Sequence, residues 1–353
     1  MTNVDKSTFQ TQRIATLLAA NDTDGLHTEL VTLLQLPATV IGLRALDQAG
    51  LLTRIIPELE PARATDQPHV HFLPVLAHSL ETVCAVEWLL DELQVAGDEN
   101  REPRTKNRED VADSSKLKTQ KVEPVLPVAV QTHPDLRYQS VYAEESRRHF
   151  AEQVGGEPRA ALFKLAALLH DIAKPATKQP KPSGGVSFHE HQTIGGEVAL
   201  DVARRLGFDE EAARYIRLVV REHMRPGQLG VLDDVTQRAV ARFFHATADA
   251  GPDVLLHLLA DHMATRGPQI KVASWLRQAA WVDALLDTIW GEQIQYTRPL
   301  LNGDELMQAL GIAPCPLVGR LLAEIGNAQA SGEISTVGEA LGLAKKILVT
   351  HKT

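Results

Sequence analysis

The stretch Ala161-Leu-Phe-Lys-Leu-Ala-Ala-Leu-Leu-His-Asp-Ile-Ala-Lys174 decides how this chain reads. Its alanines and leucines mark a buried helix, yet it delivers an imidazole and a carboxylate side by side, His170 and Asp171. Burying such groups is costly unless each finds a partner. A divalent metal ion satisfies both at once, because neutral imidazole and carboxylate are its usual ligands. Adjacent helical residues point about 100° apart, so both side chains can reach one cavity. Lys174, one turn after His170, falls on the same side and is placed to neutralise an anion beside a metal.

Working outward, nearly every ordered stretch repeats its apolar residues with the helical period, and none alternates as a strand would. The fold expected is all-α. A first block runs over residues 11–60, with Gly50 stopping one helix and Pro57 opening the exit from the next. A long helix follows over 72–95. Helices resume at 141–154, 158–173, 191–206 and 210–224, with Gly207-Phe-Asp209 serving as a stop and an N-cap between the last two. Further helices are expected at 234–246, 252–265 and 271–290. After the turn Pro299-Leu-Leu-Asn-Gly303, short ones follow at 304–310, 316–330 and 336–349. Residues 97–138 are rich in charged residues, Thr and Pro. They read as a disordered insertion that cannot bury enough surface to offset its ordering entropy.

The 353 residues are 44% hydrophobic and 23% charged, enough apolar content for a proper core. The net charge of -9 argues against a nucleic-acid clamp, and no DNA partner is expected. No apolar run approaches the roughly 18–20 residues that cross a bilayer, and the polar start Met1-Thr-Asn-Val-Asp-Lys-Ser-Thr8 has no secretory core. No membrane partner is expected, and the setting implied is cytoplasmic. Cys84 and Cys315 read as packing residues rather than a disulfide. Trp275, Trp281 and Trp290 read as core anchors of a single helix.

Beyond the opening stretch, His78, His191, His223 and Asp261 each sit on a separate helix or at a helix start amid apolar neighbours. A helical bundle can bring such side chains to one core site. Four imidazoles and two carboxylates suit two metals sharing a carboxylate better than one closed structural zinc. At the third of these positions His189 competes with His191. The latter is preferred because Gly195, one turn on, leaves space above it. For Asp261 the competing role is to partner His257 one turn earlier. His189, His257 and His262 are expected outside the ligand set, and His69 and His71 in a loop near the cavity. Lys174, Thr177, Arg221, Arg225 and Arg266 are candidate phosphate contacts, with a solvated helix face the competing reading for the arginines.

The order His…His-Asp…His…His…Asp resembles the HD superfamily of metal-dependent phosphohydrolases. Gly50-Leu-Leu-Thr-Arg-Ile-Ile-Pro-Glu58, His78-Ser-Leu80, His170-Asp-Ile-Ala-Lys-Pro-Ala-Thr177 and Phe188-His-Glu-His191 further resemble the C-terminal half of bacterial class II tRNA nucleotidyltransferases and poly(A) polymerases. So do Pro299-Leu-Leu-Asn-Gly-Asp-Glu-Leu-Met307, Val318-Gly-Arg-Leu-Leu322 and Ile334. The likeness covers about 26–96 and 140–350 and is specific as a set of motifs. It implies neck-like N-terminal helices over 1–66, an HD-domain helical bundle over 67–292 and a small helical tail over 293–353 that contacts RNA.

Departures qualify the likeness. Glu190-His191-Gln192 stands where the family has Gly-His-Glu, and Pro74 replaces a common Asp upstream of His78. About 25 residues precede the match, and no Asp-x-Asp pair follows a glycine-rich strand, so this chain alone is not expected to polymerise nucleotides. The resemblance implies a phosphohydrolase with two divalent ions (Mn, Mg, Fe, Co or Ni). His78, His170, Asp171 and Asp261 would hold one ion and His191 and His223 the other. Asp171 would bridge them, and Lys174 would act beside it on a nucleotide, cyclic nucleotide or RNA-terminal phosphate. Three rivals stand: an RNA-binding relative that partners a separate head domain, a nucleotide sensor, and a phosphodiesterase for a signalling dinucleotide.

Overall fold

The computed structural model of the protein describes residues 3–68, 70–96, 125–182, 184–230, 236–291, 300–313, 315–330 and 332–350. It is all-α, with two short antiparallel hairpins. Residues from Ile14 to Leu286 share one hydrophobic core, so the N-terminal helices Thr23–Leu34 and Thr39–Gln48 pack on the same centre as Arg159–Leu169 and Gly251–Arg266. A second core, around Leu306, Leu321, Ile325 and Ala340, belongs to the tail helices Gly303–Leu310, Pro316–Ala330 and Val337–Thr350. Arg238 bridges to Glu324 at 2.5 Å between the two. No helix among the described residues is long and apolar enough to cross a membrane.

The signals for helix ends act as expected. Gly50 and Gly207 take left-handed backbone, with φ of 66° and 85°. The Asp209 carboxylate accepts from Ala212 N at 2.8 Å, capping Glu210–Glu222. Asn302 and Glu305 form a reciprocal capping box.

Three expectations change. The helix Arg159–Leu169 stops at His170 instead of running through to 173, and Lys174–Thr177 is a separate turn. Ile172 N and Lys174 N bond three residues back, to Leu169 O and Asp171 O, and Pro175 has no N–H to continue an α-helix. Of the insertion expected over 97–138, residues 97–124 lie outside the described residues. Residues 125–138 pack onto the body, with Val128–Thr132 helical and Val130, Leu136 and Tyr138 buried. The buried Glu81 carboxylate caps that helix by accepting from Val128 N at 2.6 Å, a long-range contact that local composition does not reveal. Finally, Ala143–Phe150 gives way to a hairpin, Gln153–Val154 against Glu157–Pro158, because Gly155 and Gly156 adopt positive φ. Cys84 is buried as a packing residue should be, whereas Cys315 is exposed.

A buried polar cluster ties three of these helices together. Asp253 on Gly251–Arg266 receives the Tyr215 hydroxyl of Glu210–Glu222 and faces Arg159 Nη1 of Arg159–Leu169 at 3.3 Å. His149 Nε2 lies 2.6 Å from the same carboxylate. Two or three helical turns beyond this cluster, the same helices deliver His170, His223 and Asp261. Removing the shared acid leaves the Arg159 and Tyr215 polar groups buried without it. Asp253→Ala is expected to destabilise the protein by about 3–5 kcal/mol. Urea unfolding checks this, and a loss below about 1 kcal/mol would show the cluster to be energetically idle.

Candidate metal centre

His170 and His223 are both C-cap residues, of Arg159–Leu169 and Glu210–Glu222, while His191 opens His191–Arg205. Two helix C-termini, each carrying partial negative charge, therefore approach one region and favour a cation there. His78 comes from Val75–Ala96 and Asp261 from Gly251–Arg266. His78, His170, Asp171, His191 and His223 are each 5% exposed or less, and the Asp261 side chain keeps 27% exposure.

The arrangement has two halves meeting at one carboxylate. Asp171 Oδ2 faces His170 Nε2 at 3.2 Å and His78 Nε2 at 3.6 Å. Asp171 Oδ1 faces His191 Nε2 at 3.4 Å and His223 Nε2 at 3.9 Å. Within each triad, His78–His170–Asp171 and Asp171–His191–His223, one donor atom per residue lies within 4.8 Å of the others. Asp261 Oδ1 joins the first half, 3.0 Å from His78 Nε2 and 3.9 Å from His170 Nε2, and takes the Thr265 hydroxyl at 3.2 Å. The structure thus brings together all six residues proposed as ligands from the sequence.

The donor chemistry fits a metal. His170, His191 and His223 each turn Nδ1 to a backbone carbonyl, of Ala167 at 2.8 Å, Phe188 at 2.7 Å and Val220 at 2.6 Å. That fixes the proton on Nδ1 and leaves the Nε2 lone pair aimed inward. His191 Nε2 is buried without a hydrogen-bond partner. His78 Nε2 and His170 Nε2 stand 3.3 Å apart, a spacing that needs a cation or a proton between them. This cluster can hold a divalent ion.

Electrostatics follow from burial and from the two acids. Burial alone would raise Asp171, but the charges of His170 and Lys174 hold it well below the usual carboxylate range. Burial likewise opposes the shift at Asp261, which the His78 hydrogen bond and charge hold low. His170 is pushed up despite its burial because Asp171 lies against it. Burial drives His191 down and His223 down to about 3.

Among the other sequence candidates, Lys174 joins the site. Its Nζ lies 2.5 Å from Asp171 Oδ2 and 2.6 Å from Gln67 Oε1. Thr177 does not, since its hydroxyl donates to Ala173 O at 2.9 Å within its own turn. Arg221 and Arg225 are turned to Glu222, their side chains 46% and 41% exposed, and Arg266 is exposed. His189 is exposed, whereas His191 is buried and faces Asp171. Gly195 has a packing role instead of opening space above His191: a Cβ there would touch Val220, Ala173 and His170 O at 3.5–3.8 Å. His71 stacks edge-on to His78 with centroids 5.3 Å apart, and His69 lies outside the described residues. Gln67 and Thr265 were missed, as amide and hydroxyl side chains carry no distinctive spacing.

Glu190, which precedes His191, has φ 61° and ψ 10°, left-handed backbone that costs a residue with a Cβ. Glu190→Gly is expected to stabilise the protein by about 1 kcal/mol. A lower midpoint in denaturant would contradict this origin of the strain.

With these arrangements in view, residues 142–263 match the HD domain family model. The matched segment takes in His170, Asp171, His191, His223 and Asp261, while His78 lies before it. The chain is similar to a CC-adding tRNA nucleotidyltransferase of Thermus thermophilus, 28% identical over 315 residues that cover 88% of this chain and 54% of that protein. It is 35% identical over 188 residues to an A-adding tRNA nucleotidyltransferase of Deinococcus radiodurans, covering 52% of this chain and 41% of that one. A bifunctional uridylyltransferase/uridylyl-removing enzyme of Streptomyces coelicolor is 32% identical over 172 residues, 47% of this chain and 18% of the relative. The resemblance read from the motifs is therefore carried by real relatives. The chain spans about half the length of the two tRNA nucleotidyltransferases.

Proton linkage has a sign that can be measured on metal-free protein. His71 and His223, held near 4 and 3 mainly by burial, stay neutral when folded while the unfolded chain protonates them below about 6.5. His191 and His257 shift the same way, and His170 shifts oppositely. Stability should fall as pH drops from about 6.5 towards 4, at up to roughly 1.4 kcal/mol per pH unit for each histidine kept neutral, while His170, shifted upward, acts only above about 6.5 and adds nothing in this window. Urea midpoints in EDTA at several pH values test this. A flat or rising profile on acidification would contradict it.

Proposed function

We propose that the protein is an HD-type metal-dependent phosphohydrolase acting on a nucleotide, cyclic nucleotide or RNA-terminal phosphate. The observation that carries this reading is the split carboxylate of Asp171, one oxygen turned to each of two histidine sets. Such a geometry suits two ions, with His78, His170, Asp171 and Asp261 on one and His191 and His223 on the other. A pair of divalent ions held there would supply Lewis acidity towards a phosphoryl group and acidify water at neutral pH.

The chain's own residues have definite parts in this reading. Asp171 sets the separation of the two half-sites, and its depressed protonation keeps both oxygens available. Lys174, held between Asp171 and Gln67, is the cation positioned to stabilise charge on a phosphoryl oxygen. The carbonyls of Ala167, Phe188 and Val220 keep the imidazoles in one tautomer. The apolar helices behind the ligands exclude bulk water from the inner wall, which strengthens these interactions.

A second reading, RNA binding beside a nucleotidyltransferase, is favoured by one observation, the similarity to CC- and A-adding tRNA nucleotidyltransferases. Over 293–353 the tail carries Arg298, Arg320, Lys345, Lys346 and Lys352 against Asp304, Glu305, Glu324, Glu333 and Glu339, so it has no net positive charge. Its RNA contact would therefore depend on shape more than on phosphate charge.

With Mn, Mg, Co, Ni or Fe added, the protein should release phosphate from a nucleoside monophosphate or open a 2′,3′-cyclic phosphate. The His170→Ala/Asp171→Ala double variant should show only background. Full hydrolysis by that variant would reject the assignment. Salt-sensitive retention of tRNA with no turnover of any phosphate tested would leave the second reading standing.

A further inference from the structure

His257 is fully buried, and neither of its ring nitrogens has a hydrogen-bond partner among the described residues. An imidazole in that state forfeits water at both nitrogens and gains nothing in exchange. Around it on Gly251–Arg266, Val254, Leu255, Leu256, Leu259 and Ala260 are all buried and apolar, so a leucine would suit the packing better. Its position is not random within the core. The ring packs edge-on to His170 with centroids 4.8 Å apart and to His223 at 5.5 Å. The rings of the candidate ligands keep the same spacing from one another: 5.2 Å for His78–His170, 5.2 Å for His170–His223 and 5.3 Å for His191–His223. His257 also stands one turn before Asp261. The nearest rings do not supply its missing bonds: His170 and His223 each spend Nδ1 on a backbone carbonyl, and neither ring makes a hydrogen bond to His257.

We propose that His257 belongs to the metal centre as a fifth imidazole, one of its unpartnered nitrogens serving the divalent ion of the His170 half, whose ring is the nearer of its two neighbours. This rests on reading the surrounding cluster as a metal centre. The added nitrogen carries a consequence for ion choice. Mg prefers oxygen donors and resists dehydration, whereas Fe, Co and Ni accept imidazole readily. Five histidines thus tilt the site away from Mg and towards first-row transition ions.

The test uses full-length, metal-free protein and Co(II) as the probe. Affinity is read by calorimetry, geometry by the visible absorption of the bound ion, and thermal midpoints are taken with and without Co(II). His257→Leu should raise the midpoint of the metal-free protein, since two orphaned nitrogens leave the core. It should also weaken Co(II) binding by about tenfold or more and alter the absorption bands. His257→Gln, which keeps a donor oxygen and a similar volume, should recover part of the affinity and provides the measurement if the leucine variant does not fold. If His257→Leu raises both midpoints equally and leaves Co(II) affinity and bands as in the unaltered protein, His257 is a packing residue and the proposal is wrong. The broader reading fails differently: the unaltered protein would bind no Co(II), or the His170→Ala/Asp171→Ala variant would bind it equally well.

Discussion

One carboxylate, on Asp171, sets the terms for the rest of the molecule. It is 1% exposed and still held ionised, with His170 and His78 on one oxygen and His191 and His223 on the other. An isolated charge so deep would cost several kcal/mol and would be protonated instead. Without a metal ion, the protein balances Asp171 and Asp261 against Lys174 and a His170 whose proton affinity is raised. That balance costs little to exchange. A divalent cation can take over the charge of the proton at His170, with proton release as the counterpart of binding. A site built only for stability would favour hydrophobic groups here, so the presence of buried charges points to use.

Holding two half-sites around one carboxylate demands that helices from distant parts of the chain keep fixed registers. The cluster of Asp253, Tyr215, Arg159 and His149 supplies this at one end of three ligand-bearing helices. Close approach of helices supplies it at the other. A Cβ at Gly196 would lie 3.1 Å from Arg221 Cβ, so glycine lets His191–Arg205 settle against Glu210–Glu222 and sets the spacing of His191 from His223. The break after Leu169 has a similar purpose. Ending the helix at His170 turns Asp171 and Lys174 inward together.

Much of this was open to sequence reasoning. Four histidines and two acids stood out because each interrupts an apolar helical face where a charge or imidazole is costly, and all six meet in the structure. Helix ends at Gly50 and Gly207 follow from backbone sterics local to those residues. What escaped depends on contacts between segments far apart. Residues 125–138 look like an extension of the charged insertion until Glu81, more than forty residues earlier, caps Val128–Thr132. Thr177 looks like a phosphate contact until its hydroxyl is found bonded within its own turn. His257 has the sequence surroundings of a core leucine, and only the rings of His170 and His223, brought from other helices, give it a different meaning.

The position of His78 bears on how independent this centre is. It precedes both the segment that matches the HD family and residues 97–124, yet its Nε2 comes within 3.0 Å of Asp261 Oδ1 and 3.3 Å of His170 Nε2. That placement is secured by Val75–Ala96, the long buried helix that packs on both Arg159–Leu169 and Gly251–Arg266. The first half-site therefore draws one ligand from a helix that precedes the matched segment, and the second takes all of its ligands from inside it. All six candidate ligands, Lys174, Gln67 and His257 come from residues 67–261, and their geometry depends on that one core. The chemistry proposed for the cluster consequently draws on nothing from the tail helices. Any RNA contact there would act on what reaches the centre, not on how the centre is built.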